Sequence, residues 1–305
     1  MISVIIPVFN EIGSLPELMD QLQKILHIYK KWEILFVDDG SNDGSTEFLN
    51  ALSRKDENVT LIQFHRNYGK SAALSEGFKR AKGEYLITMD ADLQDDPAEI
   101  PNLVKKLEEG FDLVSGWKKE RKDPISKRFP SKIFNYVTRI MTGVKIHDFN
   151  CGLKIYRKAV IKTLDLYGGR HRYIPALAGH NKFRISEIQV NHRPRIHGVT
   201  KYGGSRLFHG FFDLISIIFM NHYTQQPLHL FGFFGLFCGL ASLTVEFYVI
   251  GRKIFSGHSF YEHLALMLFG AMLFILGLWF FSIGLIAEMI TRGAQEKESR
   301  VKQII

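Results

Sequence analysis

The segment YLITMDADLQ, residues 85–94, places a short apolar, β-rich run directly before a cluster of carboxylate and amide side chains. Similar β-rich runs occur elsewhere in the first half of the chain, at residues 3–8, 33–37, 60–64 and 112–116. Helix-like segments lie between them, at residues 15–29, 46–54 and 71–82. This alternation predicts an α/β domain with a mostly parallel sheet. In such sheets ligands bind outside the carboxyl ends of the strands, so the polar residues after each run form the candidate site.

Asp90, Asp92 and Gln94 follow the apolar run at two-residue spacing. If this segment is extended, alternate side chains point the same way, and the three residues can present oxygens on one side. Mg²⁺ and Mn²⁺ prefer oxygen ligands, and Mg²⁺ is typically bound by one or two carboxylates together with substrate phosphates. Aspartates that cap helices or close turns are also common. The position at a strand end nevertheless favours a divalent metal site that neutralises a diphosphate leaving group.

Two other strand ends carry residues suited to a nucleotide. Pro7, Phe9 and Glu11 end the first run and could clasp a base, although alone they would indicate only a loop. Asp39 follows the second run in the stretch Asp-Asp-Gly-Ser. It could accept a hydrogen bond from a ribose or a base while its neighbours form a turn.

The stretch Gly-Lys-Ser around Lys70 resembles the end of a phosphate-binding P-loop. That pattern also needs a glycine five residues before Gly69, and this position is Phe64, so the sequence excludes a P-loop. No Gly-x-Gly-x-x-Gly pattern follows the first strand, which argues against a dinucleotide-dependent oxidoreductase. Lys70 either reaches a phosphate or is a solvated surface lysine.

Two long, nearly uncharged runs, residues 228–250 and 264–287, are each long enough to cross a bilayer, which takes about 20 residues. Both are apolar on all faces, which favours membrane spans over two buried helices of a soluble core. Residues 205–223 have apolar side chains on one helical face and predict an interfacial amphipathic helix, although a core-facing helix has the same period. The predicted organisation is a catalytic domain at 1–204, the interfacial helix, the two spans and a tail at 288–305.

The formal net charge is +8, and basic residues cluster at residues 118–139 and 184–206. The second cluster leads toward the first span, where anionic lipid headgroups would lie. No zinc-spaced or aromatic-interleaved motif supports nucleic-acid binding, so the sequence argues against that partner. Only two cysteines, Cys151 and Cys238, are present, which agrees with a reducing compartment. The basic residues after the second span weakly favour a cytoplasmic tail by the positive-inside rule.

Together, residues 3–11, 38–45, 66–70 and 90–94 and the tandem C-terminal spans resemble family 2 glycosyltransferases of the polyprenyl phosphate hexosyltransferase subgroup. That subgroup includes dolichol phosphate mannose synthases, bactoprenol glucosyltransferases and aminoarabinose-type undecaprenyl phosphate transferases. The similarity covers nearly the whole chain, and several motifs in one order are far more specific than any one of them. The resemblance implies a GT-A fold with a Rossmann-like sheet, and an inverting single displacement.

The resemblance also implies roles for individual residues. Asp90, Asp92 and Gln94 would hold the divalent ion, Mg²⁺ or Mn²⁺, and Asp92 would be one of two catalytic residues. The nucleotide-sugar would contact a wider set, namely Pro7, Phe9, Glu11, Val37, Asp39, Lys70, Asp90, Ala91 and Lys118.

Residues 148–154, with the sequence DFNCGLK, resemble the acceptor-side motif of the family. Its aspartate, here Asp148, has been proposed as a base and is the second predicted catalytic residue. Lys154 stands where arginine is expected, which keeps the charge but loses the bidentate fork. A phosphate monoester is already anionic at neutral pH, so Asp148 could instead orient a cation or touch the metal. The residues predicted to bind the lipid phosphate are Arg121, Arg128, Ser131, Arg195 and Lys201.

These features predict transfer of a hexose from a nucleotide-sugar to polyprenyl phosphate, with UDP-glucose as the first choice of donor and undecaprenyl phosphate as the acceptor. A GDP-mannose or modified-pentose donor remains open. A processive polysaccharide synthase would carry a Gln-x-x-Arg-Trp motif and more spans, and a non-catalytic nucleotide-binding scaffold would lack the metal aspartates. The predicted location is the inner (plasma) membrane, as a multi-pass, self-associating protein with a cytoplasmic catalytic domain.

Overall fold

A computed structural model of the protein describes residues 1–119, 125–194, 226–257 and 259–295. Within these ranges, the side chains of residues 125–130 and 292–295 are outside the description. The chain divides into two compact units, Met1–Ile215 and Ser216–Ile305. The predicted domain boundary at 204, the predicted interfacial helix at 205–223 and the last part of the predicted tail all lie outside the described residues.

Seven strands form one sheet in the first unit: β1 (Ile2–Val8), β2 (Trp32–Asp38), β3 (Val59–Gln63), β4 (Tyr85–Thr88), β5 (Leu113–Trp117), β6 (Lys154–Arg157) and β7 (Ile185–Gln189). Their order across the sheet is β3-β2-β1-β4-β6-β5-β7. The first four strands pair in parallel, and β5 is parallel to β7. β6 is antiparallel to both of its neighbours, β4 and β5. The predicted mostly parallel α/β sheet is confirmed, and all five predicted strands are present.

The sequence pattern does not predict β6 and β7. β6 has only four residues, which is too short to display an alternation of apolar and polar side chains. β7 has four half-buried residues followed by an exposed one, so its pattern lacks the contrast between a buried and a solvated face. The irregular region after residue 116 therefore contributes two strands to the same sheet.

The helices of the first unit lie between the strands: α1 (Leu15–Leu26), α2 (Ser45–Ser53), α3 (Lys70–Arg80), α4 (Ile100–Glu108), α5 (Ile125–Thr142), α6 (Lys158–Ile161) and α7 (Ile174–His180). Two short 3₁₀ helices, Pro97–Glu99 and Arg170–Tyr173, precede α4 and α7. The first three helices match the segments predicted from the sequence to within a few residues.

Helices cover both faces of the sheet, and the core therefore has two layers. Val4 and Ile6 of β1 belong to one apolar cluster with residues of α1 and α4, whereas Ile5 belongs to another with residues of α3 and α7. This division follows from the strand geometry, because successive side chains of a strand point to opposite faces. Gly77 of α3 lies so close to Ile5 that a Cβ there would overlap it, so α3 packs tightly against the middle of β1.

The second unit contains two long helices, α8 (Pro227–Ser256) and α9 (Leu264–Gln295), joined through a 3₁₀ turn at Phe260–His263. The apolar stretches Pro227–Ser256 and Phe260–Thr291, which include α8 and most of α9, have mean hydropathies of 1.8 and 2.5, and only 17% and 11% of their most apolar windows are buried. By length and composition both helices can cross a membrane, and their low burial differs from that of core helices in a soluble protein. Both are longer than the predicted spans, and α9 includes the first residues of the predicted tail.

Close contacts between glycines hold α8 against α9. A Cβ on Gly235 would lie 2.9 Å from the carbonyl oxygen of Gly277, and a Cβ on Gly277 would lie 2.8 Å from that of Gly235. Ser242 Oγ donates to the Gly270 carbonyl at 2.7 Å, and the carboxyl group of Glu246 lies against Gly270. Small residues that let two backbones approach are typical of helix pairs in membranes. Glu246 therefore faces the neighbouring helix.

Candidate active site

The loops that follow β1 and β2 are tied together at the carboxyl edge of the sheet. Asn10 N donates to Ser41 Oγ at 2.9 Å, and Asn42 N donates to Asn10 Oδ1 at 2.8 Å. Asn10 has a φ of 54°, a left-handed conformation in which asparagine is enriched. Glu11 N donates to Ser45 Oγ at 3.1 Å, at the start of α2. The two loops therefore form one connected rim.

Two buried aspartates at the end of β2 bind the backbone of neighbouring loops. Asp38 Oδ1 accepts a hydrogen bond from Ser41 N at 3.0 Å, which closes the turn predicted for this stretch. Asp39 accepts from Tyr68 N at 2.7 Å and from Gly69 N at 2.9 Å. Burial raises the pKa of Asp39, and these two N–H groups partly oppose that shift. Asp39 thus holds the loop that leads into α3, and its remaining lone pairs suit the predicted nucleotide hydrogen bond.

Asp90 and Asp92 lie in a turn rather than in an extended segment. β4 ends at Thr88, and Leu93 has a φ of 61°, so the chain turns before Gln94. Asp92 Oδ1 accepts from Gln94 N at 3.2 Å, which stabilises this turn. The predicted alternation of these three side chains along an extended segment is therefore wrong. All three residues nevertheless follow the carboxyl end of β4, in a segment we call the acidic loop, residues 90–96.

A buried ion pair anchors the acidic loop to the end of β5. Lys118 Nζ lies 2.7 Å from Asp95 Oδ1, and the two side chains are only 9% and 0% exposed. Asp95 Oδ2 accepts from Asp90 N at 3.2 Å. Burial would lower the pKa of Lys118, but Asp95, followed by Cys151 and Asp90, raises it overall. Lys118 therefore stays charged and engages Asp95, whereas the resemblance implied a contact with the nucleotide-sugar.

Lys70, the first residue of α3, forms an ion pair with Asp90. Burial would raise the pKa of Asp90, but Lys70 and then Lys118 lower it to about 2. Asp90 is therefore ionised throughout the neutral pH range, as a metal-binding carboxylate must be. The Lys70 side chain is only 24% exposed, so it is not a solvated surface lysine and lies where it can meet a phosphate beside the acidic loop.

The acidic loop suits a hard divalent cation. Asp90 and Asp92 supply carboxylate oxygens, the ligand type that Mg²⁺ and Mn²⁺ favour. Among the residues that the structure describes, no three His, Cys, Asp or Glu side chains converge into a complete ligand set. Mg²⁺ usually takes one or two protein carboxylates and fills its other positions with water and substrate phosphate oxygens. The residues present therefore fit a cation that shares its coordination with a bound diphosphate.

The acceptor segment, residues 148–154, passes directly against the acidic loop. Thr88 Oγ1 donates to the Gly152 carbonyl at 2.8 Å, which fixes this segment to the end of β4. A Cβ on Gly152 would lie 2.7 Å from Asp90 Oδ2 and 2.8 Å from Asp95 Oδ2. Only glycine permits this approach, so the predicted acceptor segment and the predicted metal residues belong to one site.

We expect Gly152→Ala to lower the rate of the predicted sugar transfer about a hundredfold, because the added methyl group must displace the carboxylates of Asp90 and Asp95. Overpacking of this kind also costs about 1–3 kcal/mol of stability. Initial rates and thermal unfolding of the purified chain measure the two effects. Gly239→Ala is the control, since a Cβ on this helical glycine meets nothing within 4 Å. An unchanged rate in Gly152→Ala would show that the carboxylates do not need their present positions.

Asp148 and Lys154, at the two ends of the acceptor segment, are each 3% exposed. Asp148 Oδ1 accepts from Asn150 N at 3.1 Å, and its carbonyl accepts from Ser115 Oγ at 3.3 Å. Lys154 Nζ donates to the carbonyl of Cys151. Burial lowers the pKa of Lys154. Asp148 thus stabilises the turn at the start of the acceptor segment. Lys154 places a buried amino group against the backbone of the same segment.

A cavity beside the acceptor segment is lined in part by Lys70, Asn150, Lys154 and His171. His171 Nδ1 lies 2.9 Å from Ser71 Oγ, and His171 N donates to the same oxygen at 3.1 Å. Burial and then the charge of Lys70 hold the pKa of His171 well below its usual value, so the ring is neutral at pH 7. Sequence reasoning missed the pairing of Ser71 with His171, because they share no motif.

The other residues predicted to bind the donor differ in exposure. Pro7, Phe9, Glu11 and Gln94 are half-buried. Val37 and Ala91 are buried, and Val37 belongs to the core cluster on the α3 side of the sheet. Only the backbone of Val37 could therefore face a nucleotide.

The residues predicted to bind the lipid phosphate are mostly beyond the described part of the chain. Ser131 is half-buried on α5. Arg121, Arg195, Lys201 and the side chain of Arg128 lie outside the described residues.

Comparison with protein families matches residues 3–165 to the family described as "Glycosyl transferase family 2". A dodecaprenyl-phosphate galacturonate synthase from Rhizobium johnstonii is 38% identical over 299 residues, which cover 95% of this chain and 88% of the relative. An undecaprenyl-phosphate 4-deoxy-4-formamido-L-arabinose transferase from Pseudomonas aeruginosa is 34% identical over 307 residues, which cover 100% of this chain and 89% of the relative.

Among solved structures, glucosyl-3-phosphoglycerate synthase from Mycobacterium tuberculosis matches with a TM-score of 0.55 and 17% identity, over 72% of this chain and 79% of that chain. Another crystal structure of that enzyme contains Mn²⁺ and UDP-glucose. At this identity the likeness concerns the fold, and it confirms the predicted GT-A type sheet.

Proposed function

Since the chain belongs to glycosyl transferase family 2 and is a glycosyltransferase, we propose that it moves one sugar from a nucleoside diphosphate donor to a polyprenyl phosphate lipid. The observation that carries this proposal is the contact of the acidic loop with the acceptor segment at Gly152. A diphosphate bound at the acidic loop and a phosphate bound at the acceptor segment would therefore lie next to each other. The names of both relatives, which specify dodecaprenyl and undecaprenyl phosphate, support the same class of acceptor.

The donor is proposed to lie along the rim formed by the loops after β1 and β2, with its diphosphate at the acidic loop. Asp90 and Asp92, with Gln94, would hold Mg²⁺ or Mn²⁺ there. Such a cation, when bound, would neutralise the charge that develops on the leaving nucleoside diphosphate. Lys70, already beside Asp90, would place a second positive charge near the same oxygens. Lys118 would support the acidic loop rather than contact the diphosphate, because its ammonium group already forms an ion pair with Asp95.

The acceptor phosphate is proposed to attack the anomeric carbon directly. A bond forms between a phosphate oxygen and that carbon, and the bond from the carbon to the nucleoside diphosphate breaks with its electron pair on the leaving group. A phosphate monoester is already anionic at neutral pH, so this step needs no proton abstraction. Asp148, buried and bonded to Asn150 N, would instead set the shape of the acceptor segment. Catalysis would then depend mainly on positioning and electrostatic stabilisation.

A polyprenyl acceptor requires the catalytic unit to work at a membrane surface. α5 supports this, because four of the five exposed side chains in its described part are apolar: beside Lys132, Ile133, Tyr136, Ile140 and Met141 are between 45% and 62% exposed. The buried side chains of its described part, Asn135 and Thr138, are polar, and Asn135 accepts a hydrogen bond from Phe149 N at 3.3 Å. The helix is thus joined to the acceptor segment. We propose that the outward face meets lipid and that Arg121, Arg128, Ser131, Arg195 and Lys201 assist in holding the phosphate.

The donor sugar is proposed to be a hexose, a hexuronic acid or a modified pentose. UDP-glucose is the first choice from the sequence, and a GDP-mannose donor is also open. The names of the two relatives favour galacturonate and 4-deoxy-4-formamido-L-arabinose over glucose. For this reason a donor test must include the acidic and the formylated sugars.

The proposed setting is the inner (plasma) membrane, with α8 and α9 crossing the bilayer and the catalytic unit in the cytoplasm. The apolarity and low burial of α8 and α9 support such a hairpin. Because a two-helix hairpin leaves most of its apolar surface unpaired with protein, we also propose that the protein self-associates in the membrane.

The test is sugar transfer by the purified full chain in detergent, with undecaprenyl phosphate as the acceptor. The radiolabelled donors are UDP-glucose, UDP-galacturonate, UDP-4-deoxy-4-formamido-L-arabinose and GDP-mannose, each with Mg²⁺ or Mn²⁺. We expect one donor to label the lipid, and we expect a chelator to abolish the labelling. Undecaprenol, which lacks the phosphate, is the matched control acceptor and should stay unlabelled. Labelling of undecaprenol, or full activity with excess chelator, would contradict the proposal.

A further inference from the structure

The chain that follows β7 runs along the acidic loop and is bonded to it at several points. His192 forms an antiparallel bridge with Asp95. Arg193 N donates to the Gln94 carbonyl at 3.1 Å. Asn191 N donates to Glu99 Oε1 at 3.1 Å, just beyond the loop. Residues 191–193 therefore act as a short extra strand along residues 94–96 of the loop.

Two side chains of this strand converge on Asp96, the last residue of the acidic loop. Arg193 Nη2 lies 2.7 Å from Asp96 Oδ1, and Asn191 Nδ2 donates to Asp96 Oδ2 at 3.2 Å. Asp96 also caps the following 3₁₀ helix by accepting from Ala98 N at 3.0 Å. Burial would raise the pKa of Asp96, but these partners together lower it. The carboxylate is thus ionised and fixed from two sides.

Arg193 connects this cluster to a third element. Its Nη1 donates to Gln21 Oε1 of α1 at 2.8 Å, while Nη2 pairs with Asp96 and the backbone N binds Gln94. The planar guanidinium has donors that point in fixed directions, so it can hold two partners at one relative position. A lysine at this position would keep the positive charge but could not hold two partners in this fixed geometry. The preceding residue, Asp95, is held by Lys118.

We propose that Arg193 is a positioning residue, which holds the acidic loop in the conformation that Asp90 and Asp92 need to bind a divalent cation. This inference rests on the proposed function, because it takes Asp90 and Asp92 as the cation ligands. Residues outside the ligand set that orient the ligands typically change metal affinity by 10- to 100-fold when they are removed. Arg193 thus adds a determinant of cation affinity that lies about a hundred residues after the aspartates in the chain.

The experiment compares Arg193→Gln with Arg193→Lys and with wild type, using the full chain in detergent. Arg157→Gln is the matched control: the Arg157 side chain has the same 30% exposure and donates to the Phe111 and Leu107 carbonyls. In the sheet, Arg157 of β6 lies opposite Tyr85, the first residue of β4, whereas Asp90 follows the other end of β4. The measurements are Mn²⁺ affinity by electron paramagnetic resonance, hydrogen–deuterium exchange of residues 90–96, and thermal unfolding.

We expect Arg193→Gln to raise the Mn²⁺ dissociation constant about tenfold and to speed exchange in residues 90–96, with Arg193→Lys between it and wild type. Arg157→Gln should change neither value, whatever it does to the melting temperature. Equal losses of melting temperature in Arg193→Gln and Arg157→Gln, with Mn²⁺ affinity and loop exchange unchanged, would overturn the proposal.

Failure of the proposed function would look different. If the wild-type chain bound no Mn²⁺, the metal assignment of Asp90 and Asp92 would be wrong. The exchange data would then decide on Arg193 alone: faster exchange in residues 90–96 for Arg193→Gln would support its hold on the loop, and unchanged exchange would overturn it.

Discussion

Asp92→Ala is expected to reduce sugar transfer to polyprenyl phosphate by about 10³-fold. The substitution removes one of two carboxylates proposed to hold the cation, and a single remaining carboxylate, Asp90, is already shared with Lys70. It also removes the hydrogen bond from Gln94 N, which is worth about 1 kcal/mol. The loss of rate should therefore far exceed the loss of stability. Initial rates at saturating donor, with a Mn²⁺ titration for each variant, measure the effect.

Asp20→Ala is the control for that result. Asp20 is an exposed aspartate of α1 that pairs with Lys24 at 2.6 Å, and its side chain is 60% exposed. Surface pairs of this kind contribute little, so its rate and melting temperature should match wild type. If Asp92→Ala kept more than a tenth of wild-type activity at the same Mn²⁺ concentration, Asp92 would not be a ligand of the catalytic cation.

Lys118→Met is expected to destabilise the catalytic unit by about 3–5 kcal/mol, because it leaves the fully buried Asp95 carboxylate without its cation. The acidic loop should also shift, since Asp95 is the acceptor for Asp90 N. Transfer activity should therefore fall even at temperatures where the variant is folded. Equilibrium unfolding of the full chain in detergent gives the free energy of unfolding, and the transfer assay gives the rate.

A second variant separates the cost of leaving a charge buried without its partner from the cost of losing the lysine side chain. In Lys118→Met with Asp95→Asn, the amide oxygen can still accept from Asp90 N but carries no charge. We expect this double variant to recover more than half of the lost free energy of unfolding. Lys106→Met, which removes the half-buried partner of the exposed Glu109, should cost less than about 1 kcal/mol. A Lys118→Met variant no less stable than Lys106→Met would show that the buried pair contributes nothing to the fold.

The fold was predictable from sequence where the pattern was local. The five predicted strands each combine a short apolar run with a polar loop, and three amphipathic helices separate the first four. β6 was not predictable in this way. Its four residues, including a buried lysine, are specified by pairing with β4 and β5, which lie far away in the chain. Long-range pairing of this kind leaves no periodic signal in the strand itself.

The candidate site was predictable in its composition more than in its geometry. The aspartates 90 and 92 and the acceptor segment were identified from their order along the chain, and the structure brings them together. The extended conformation of the acidic loop was predicted wrongly because Leu93 carries no local signal for a left-handed backbone. The sequence also did not predict the ion pairs of Asp95 with Lys118 and of Asp96 with Arg193. Each pair forms only because particular strands lie side by side in the sheet.

The antiparallel strand β6 has a consequence for biosynthesis. β5 pairs in the sheet with β6 and β7, and both of these strands come later in the chain. One edge of β4 also pairs with β6, so this edge stays open until β6 has been synthesised. A nascent chain that has just released residue 117 therefore carries four strands that can pair in parallel and three open edges that cannot yet pair, one on β4 and two on β5. Unpaired strand edges are sites of wrong association. The time needed to synthesise residues 118–189, which end with β7, thus sets how long these edges stay unpaired in the nascent catalytic unit.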